Sequence, residues 1–222
     1  MNRLWPRTQQ EQIDYHLRRN DTPNFTQGQP GRIDLAHFLI DKMLIKGDLK
    51  HDGPEPLTFV ELGCGSADIT GPYSQPLLIR GGLSILAGDI KVIGIDVVEQ
   101  SAISVPERFP LVDVRIGAVE EMEPIACDLL VMCEFLEHLH DPWAVVKTWM
   151  PLAKWVIIGH PINEPNPPYE TGHIWSYTLD DWRAWFEETG HGVWERILFS
   201  MGYYETMAIG HGSRRDLPPW TA

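Results

Sequence analysis

The chain has 222 residues, 43% hydrophobic and 22% charged, a composition that suits one globular domain with a single large core. Its formal net charge of -13 argues against a nucleic acid or an anionic membrane as the main partner, because lysine and arginine bind such surfaces. No apolar run is long enough to span a bilayer, and the three cysteines show no disulfide spacing. With no secretory leader at its start, the sequence favours a reduced, cytoplasmic setting.

Two amphipathic helices are predicted within residues 1–56. Thr8 and Glu11 have the spacing of a capping box, which indicates the start of a short helix. After a loop rich in Asn, Pro and Gly, an apolar stripe over residues 35–43 predicts a second helix that ends at Gly47. These helices are expected to pack against whatever core follows them.

The stretch around which the chain is organised runs from Phe59 to Asp68. An apolar run reaches an acid, Glu61, and then two glycines, Gly63 and Gly65, which is the pattern of a buried strand that ends in a tight turn. Glycine has no Cβ, so a ligand can lie directly against the backbone. The sequence therefore predicts a ligand site here.

Glu61-Leu62-Gly63-Cys64-Gly65 resembles motif I of the class I S-adenosylmethionine-dependent methyltransferases. The resemblance implies that Glu61, Gly63, Cys64 and Gly65 form the site for the methionine part of S-adenosylmethionine. It also suggests that residues 1–56 form a helical cap or lid, although simple coverage of the sheet is an equal alternative.

A second predicted strand ends in Asp96. In Rossmann-like sites an acid at this point accepts hydrogen bonds from the two ribose hydroxyls, so Asp96 and its neighbour Val97 are expected to bind cofactor. Prolines and glycines predict an insertion or an irregular helix between Gly71 and Lys91. The longer spacing that results keeps Asp89 open as an alternative ribose acid.

The third and fourth predicted strands supply the next two loops. By the family resemblance, Ala118 and Val119, together with Glu120, are expected to flank the adenine ring. The segment from Glu134 to Pro142 resembles the one that follows strand four in small-molecule methyltransferases of the ubiquinone-biosynthesis type, which adds Glu134 to the expected cofactor site. Asp141 is predicted to cap a helix.

The remaining elements complete a doubly wound α/β pattern. Strand five, a second capping box at Thr178, and two final strands over residues 193–199 and 203–209 follow in order. With the resemblance, this predicts a Rossmann-like, mainly parallel seven-stranded sheet with an antiparallel last strand, a methyltransferase core over residues 57–210, and a tail over 211–222.

Three histidines fall on loops after strands and are candidates to bind substrate or remove its proton: His138, His160 and His173. His138 and His173 are preferred as catalytic residues. A metal set of His138, His140 and Asp141 is disfavoured because Asp141 is already explained as a cap, so no metal is assigned.

Two aromatic features have alternative interpretations. Asn166-Pro167-Pro168-Tyr169 copies a motif of adenine-N6 methyltransferases, but it lies after strand five rather than strand four, so a turn is preferred. Trp182 and Trp185 are expected in the core, whereas Trp175 and Tyr177 are candidates to line a substrate pocket.

The sequence thus predicts an S-adenosylmethionine-dependent methyltransferase that methylates oxygen or nitrogen of a small molecule. A nicotinamide-dependent oxidoreductase and a non-catalytic cofactor-binding or interaction protein are the alternatives. The sequence makes no prediction of the acceptor's identity or of the oligomeric state.

Overall fold

The structure, a computed structural model, describes residues 1–4, 8–20, 30–50, 54–75, 77–80, 83–86, 89–164, 172–200 and 204–211. Within these residues, no helix is long and apolar enough to cross a membrane. The helices and strands in chain order are β1 (Asn2–Arg3), α1 (Gln9–Asn20), α2 (Pro30–Lys46), β2 (Leu57–Leu62), β3 (Leu77–Arg80), β4 (Leu83–Leu86), β5 (Ile90–Asp96), α3 (Glu99–Arg108), β6 (Asp113–Ile116), β7 (Cys127–Cys133), α4 (Pro142–Trp149), β8 (Ala153–Pro161), β9 (Trp175–Ser176), α5 (Leu179–Glu188), β10 (Gly192–Ser200) and β11 (Tyr204–His211).

One large sheet has the strand order β10-β11-β8-β7-β2-β5-β6. The five strands β6, β5, β2, β7 and β8 are mutually parallel, and β11 pairs antiparallel with both β8 and β10. The predicted doubly wound, mainly parallel sheet with an antiparallel final strand is confirmed. The chain winds outward from β2 in both directions, and ligands of such sheets bind at the carboxyl ends of the strands where the order reverses.

The core lies on both faces of this sheet because alternate strand residues point to opposite sides. One face packs against α4 and α5, the other against α2 and α3. The first face includes Val60, Leu62, Ile93, Leu130, Met132, Val156, Trp149, Trp182, Trp185 and Phe186. The second includes Phe59, Val92, Leu129, Val131, Ile157, Ala36, Leu39, Ile40, Met43 and Val105.

The predicted helix starts agree with the structure. The Thr8 and Glu11 side chains form their capping box, with the Thr8 N–H donating to the Glu11 carboxylate at 2.8 Å. Asp141 caps α4 by accepting a hydrogen bond from the Ala144 N–H at 3.0 Å. Thr178 forms a second capping box at the start of α5.

The irregular region between Gly71 and Lys91 is a 3-10 turn, Gly71–Ser74, followed by the antiparallel pair β3 and β4. The expectation of an insertion or irregular helix is therefore confirmed, and its main content is a β-hairpin. Gly81-Gly82 between two short apolar runs is the sequence signal that would have predicted the hairpin.

The N-terminal segment is attached to the far end of the chain. β1 pairs antiparallel with β9, and the Leu4 N–H donates to the Ile174 carbonyl oxygen at 2.8 Å. This pairing brings α1 towards the loop that precedes β9.

Candidate functional site

The glycine loop lies at the carboxyl end of β2. Gly63 and Gly65 have φ angles of +67° and +48°, the left-handed region that glycine enters without steric cost. The Gly63 N–H donates to the Ile95 carbonyl oxygen at 2.8 Å, which ties the loop to β5. A Cβ at Gly63 would lie 2.5 Å from the ring of Phe135, so a larger residue would displace that ring. The loop therefore brings glycine backbone to the carboxyl edge of the sheet, where the Phe135 ring packs directly against Gly63.

Glu61 lies beneath this loop and is buried. Its Oε2 accepts hydrogen bonds from both the backbone N–H of Thr70, at 3.1 Å, and the Thr70 hydroxyl. Burial raises the pKa of Glu61 to about 7, and the bonds from Thr70 oppose part of that rise. The Glu61 carboxyl group thus stabilises the loop through Thr70. This placement fits a role in shaping the cofactor site better than direct contact with the cofactor.

Asp96 bridges the glycine loop and the end of β5. Its Oδ2 accepts from the Gly65 N–H at 2.6 Å, and its Oδ1 accepts from the Val98 N–H at 2.9 Å. Burial raises the pKa of Asp96, and the bonds from Val98 and Gly65 lower it in part. Each oxygen has a second lone pair, so the carboxylate can also accept hydroxyl donors. The alternative acid, Asp89, precedes β5 and lies at the opposite end of the strand.

The Cys64 side chain is buried against Gly94, where a Cβ would lie 2.8 Å from its sulfur. Burial raises the pKa of the Cys64 thiol well above its usual value, so the thiol is neutral. Cys64 therefore helps to pack the loop onto β5. Val97, the other neighbour assigned to the cofactor, is half-buried directly after Asp96.

The loop after β6 is joined to Asp96 by the Gly117 N–H, which donates to the Asp96 carbonyl oxygen at 2.9 Å. Ala118 is half-buried and Val119 is buried at the start of a short 3-10 turn. Burial raises the pKa of Glu120, opposed by hydrogen bonds that include one from the backbone of His140. The structure thus brings the three predicted adenine neighbours to the same edge as the glycine loop.

The segment after β7 borders the loop on its other side. Glu134 has a φ of +50°, which is uncommon for a residue with a side chain, and its N–H donates to the Gly159 carbonyl oxygen at 2.7 Å. This turn directs Phe135 onto Gly63. Ala67, also at positive φ (+52°), lies in the glycine loop, so two strained backbone positions border one site, as is common at functional sites.

His138 and His173 lie together, with ring centroids 4.8 Å apart. His173 is buried, and its Nδ1 lies 2.8 and 2.9 Å from the two carboxylate oxygens of Glu164. His138 is half-buried, and its Nδ1 lies 3.1 Å from the Gly172 carbonyl oxygen. The two preferred catalytic histidines are thus neighbours, which their separation in sequence did not reveal.

His160, the third candidate, is a core residue. It is 1% exposed and packs against Tyr177 and Trp182, with centroid distances of 4.5 Å to each. A position on β8 that faces α5 explains this placement, since the side chain points into the core rather than off the edge of the sheet.

The aromatic residues ahead of α5 hold the segment after β7 in place. Tyr177 is fully buried and its hydroxyl donates to the Leu136 carbonyl oxygen at 2.8 Å, so it does not line an open pocket. The Trp175 Nε1–H donates to the Leu139 carbonyl oxygen at the same distance. The Asn166 to Tyr169 motif lies outside the described residues.

Five residues at this site had no predicted role. Glu137 and Glu164 are buried acids beside the histidines, and Gln12 donates from Nε2 to the Gly172 carbonyl oxygen at 2.7 Å. A Cβ on Gly172 would lie 2.6 Å from the ring of Tyr15, so α1 contacts the histidine loop closely. No pattern in the sequence linked these residues to the two histidines.

The architecture defines the class of fold. A parallel sheet with a glycine loop after β2, an acid at the end of β5 and an antiparallel β11 is the fold of the class I S-adenosylmethionine-dependent methyltransferases, and similar solved structures confirm it. No protein-family model matches the sequence, and no curated protein matches it.

Two of the similar structures are methyltransferases with ligand bound. Magnesium protoporphyrin IX methyltransferase from Synechocystis with bound SAM has a TM-score of 0.66 and 14% identity, covering 91% of this chain and 97% of that one. A Burkholderia thailandensis 1,6-didemethyltoxoflavin-N1-methyltransferase, with bound 1,6-didemethyltoxoflavin and S-adenosylhomocysteine, has a TM-score of 0.64 and 13% identity, covering 93% and 91%.

The [4+2]-cyclase SpnF is similar to the same extent, with a TM-score of 0.65 and 9% identity over 95% of this chain and 98% of that one. A protein with this fold can therefore be named for a different reaction, and the fold alone does not define the chemistry.

Proposed function

We propose that this protein is an S-adenosylmethionine-dependent methyltransferase that methylates oxygen or nitrogen of a small molecule. The observation that carries the proposal is Asp96, whose carboxylate is held against the Gly65 N–H at 2.6 Å. That contact places a hydroxyl-binding acid and a bare glycine backbone side by side, which is what a ribose joined to an amino-acid chain requires.

The proposed cofactor site uses the loops at the carboxyl ends of β2, β5 and β6. Gly63 and Gly65 leave room for the methionine part, with Glu61 and Cys64 packing the loop from below. Asp96 accepts the ribose hydroxyls and Val97 lies beside it, while Ala118 and Val119 flank the adenine. Glu134 borders the methionine end, where its strained backbone turns the chain away from β7.

The bound cofactor supplies an electrophilic methyl group on a sulfonium, whose thioether is a good leaving group. The protein must align the acceptor with that methyl group and exclude water. His138 and His173 lie after β7 and before β9, beside the turn that contacts Gly63, so we assign them to the acceptor side. Within residues 1–56 we assign the cap to α1, since its Gln12 and Tyr15 contact the loop that carries His173, whereas α2 packs against the sheet.

The test is calorimetric titration of the purified protein with S-adenosylmethionine, S-adenosylhomocysteine and NADH. We expect binding of both adenosyl ligands and none of NADH. Asp96→Ala should weaken adenosyl binding by at least about tenfold, since it removes hydrogen bonds to a charged group. Asp89→Ala is the matched control, because it removes the alternative acid at the other end of β5 and should bind as the wild type does.

A folded wild-type protein that binds neither adenosyl ligand would refute the proposal, and selective NADH binding would favour the oxidoreductase. Turnover is tested separately by incubating the protein with methyl-labelled cofactor and small-molecule extract fractions. Adenosyl binding without any label transfer would support the non-catalytic alternative.

A further inference from the structure

Three side chains of metal-ligand type meet beside the glycine loop. Glu137 and His138 lie in the 3-10 turn that follows β7, and His173 lies in the loop before β9. One ligand atom from each lies within 4.8 Å of the other two. Glu137 and His173 are each 1% exposed, whereas His138 is half-buried, so the cluster opens on the side of His138.

Hydrogen bonds fix which nitrogen each histidine offers to the cluster. The Nδ1 of His173 faces the carboxylate of Glu164, which accepts, so in the neutral ring Nδ1 carries the proton and Nε2 carries the lone pair. The Nδ1 of His138 faces the Gly172 carbonyl oxygen, which also accepts, so the same tautomer of its neutral ring leaves the lone pair on Nε2. A carboxylate or carbonyl behind the distal nitrogen is the usual environment of a metal-binding histidine.

The backbone around these residues is also tied together. The Ile174 N–H donates to the Glu137 carbonyl oxygen at 2.9 Å, which joins the two segments that carry the ligands. The Tyr177 hydroxyl holds the Leu136 carbonyl oxygen next to them. The backbone that carries the ligand set is therefore held in position, although His173 is far from Glu137 and His138 in sequence.

We propose that Glu137, His138 and His173 bind a divalent first-row metal ion, with Glu164 orienting His173. Two imidazoles and a carboxylate suit Zn²⁺, Fe²⁺, Co²⁺ or Mn²⁺, and three protein ligands leave positions open for substrate. Ligands about 2.1 Å from one ion lie about 3 to 3.5 Å apart, so the three ligand atoms, now within 4.8 Å of one another, would draw closer by about an ångström on binding.

This set differs from the one considered from sequence. Asp141 does cap α4, which removes it from metal binding, and His140 is exposed. The buried Glu137 and the distant His173 take their places.

The location suggests what the ion would do, and this step rests on the proposed methyltransferase function. Phe135, two residues before Glu137, packs on Gly63, so the cluster adjoins the methyl donor's cradle. An acceptor hydroxyl bound to the ion would lose its proton to water more readily. Its oxygen lone pair would form the new O–C bond while the S–C electron pair returns to sulfur. The acceptor class would then be an alcohol or phenol.

The experiment is titration of untagged, metal-stripped protein with Co²⁺ alone, followed by visible absorption and calorimetry. We expect one Co²⁺ per chain and visible bands from imidazole coordination. His138→Gln, His173→Gln and Glu137→Gln should each weaken Co²⁺ binding at least about tenfold, and Glu164→Gln should weaken it by about ten- to a hundredfold without abolishing it. His140→Gln is the matched control and should bind as the wild type does.

Thermal unfolding with and without Co²⁺ provides a second measurement, because an ion that binds only the folded state raises its melting temperature. The rise should occur in the wild type and the His140 variant and be lost in the His138 variant, which is half-buried and tolerant of substitution. Absence of Co²⁺ binding by the wild type, or binding by the His138 and His173 variants as tight as that of the wild type, would overturn the site. Co²⁺ binding without adenosyl binding would instead refute the methyltransferase and keep the metal site.

Discussion

Glu61 is a buried acid whose described hydrogen bonds are both to one neighbour, Thr70. Its carboxyl group accepts both hydrogen bonds from Thr70 while lying under the glycine loop, and its pKa is raised to about 7. The sequence identified Glu61, Gly63 and Asp96 because each follows an apolar run that reads as a strand. It could not identify the pairing of Glu164 with His173, because loop residues have no periodicity that reports their contacts.

Glu61 makes protein stability depend on pH. The folded-state pKa of Glu61 lies above its ordinary value of 4.5, so its contribution to stability is fully present below about pH 4.5 and is lost as the pH rises through about 7. Glu61→Gln keeps an oxygen for Thr70 without a charge to desolvate. Between pH 5 and pH 8 we expect the free energy of unfolding of the wild type to fall by roughly 2.5 kcal/mol more than that of the variant, because only the wild type loses this contribution.

Urea unfolding of both proteins at pH 5 and pH 8 measures this difference. The surface variant Glu123→Gln is the control and should follow the wild type at both pH values. An identical pH dependence in the wild type and Glu61→Gln would show that Glu61 is ionised at no cost in the folded protein.

At the scale of elements, the N-terminal helix α1 is held over the histidine loop both by the pairing of β1 with β9 and by its own side chains. Gln12 is 4% exposed and donates to the Gly172 carbonyl oxygen, the same oxygen that faces His138. The sequence predicted α1 from its capping box but not its location, because β1 pairs with β9, which lies at the opposite end of the chain. Local patterns define a helix, whereas long-range pairing decides what it covers.

Gln12→Ala should loosen α1 without unfolding the sheet. Loss of a buried hydrogen bond to a backbone carbonyl costs about 1.4 kcal/mol, so hydrogen exchange of the α1 amides should accelerate about tenfold. Gln10→Ala is the matched control, since Gln10 is exposed and its Nε2 donates to the Asp14 carboxylate within α1 at 2.8 Å. Hydrogen–deuterium exchange read by mass spectrometry reports both, and equal exchange in the two variants would contradict a cap held by Gln12.

At the scale of the whole molecule, the net charge of -13 sets the long-range field that a ligand meets. S-adenosylmethionine carries a sulfonium cation that S-adenosylhomocysteine lacks, while the two are otherwise nearly identical in shape. A negative electrostatic field should attract S-adenosylmethionine and have little effect on S-adenosylhomocysteine. The pair of ligands therefore separates the effect of charge from the effect of fit.

Raising the salt concentration from about 0.02 M to about 0.5 M should weaken binding of S-adenosylmethionine by about threefold, because salt screens exposed charges beyond a few ångströms. Binding of S-adenosylhomocysteine should change far less. Calorimetric dissociation constants at both salt concentrations measure this. Equal salt dependence for the two ligands would mean that the net charge of the protein does not affect binding at the site.

The 3-10 turn after the glycine loop has a consequence for the kind of ligand that fits. An α-helix that starts at such a loop points several N–H groups and a partial positive charge at the ligand, which suits phosphate. Here the four-residue turn Gly71–Ser74 precedes β3, so little partial positive charge from a helix N-terminus is available. The half-buried acid Asp68 also lies in the chain just before this turn. Without an α-helix that starts at the glycine loop, the site disfavours a pyrophosphate group. Converting it to a dinucleotide site would require a new helix rather than a few substitutions.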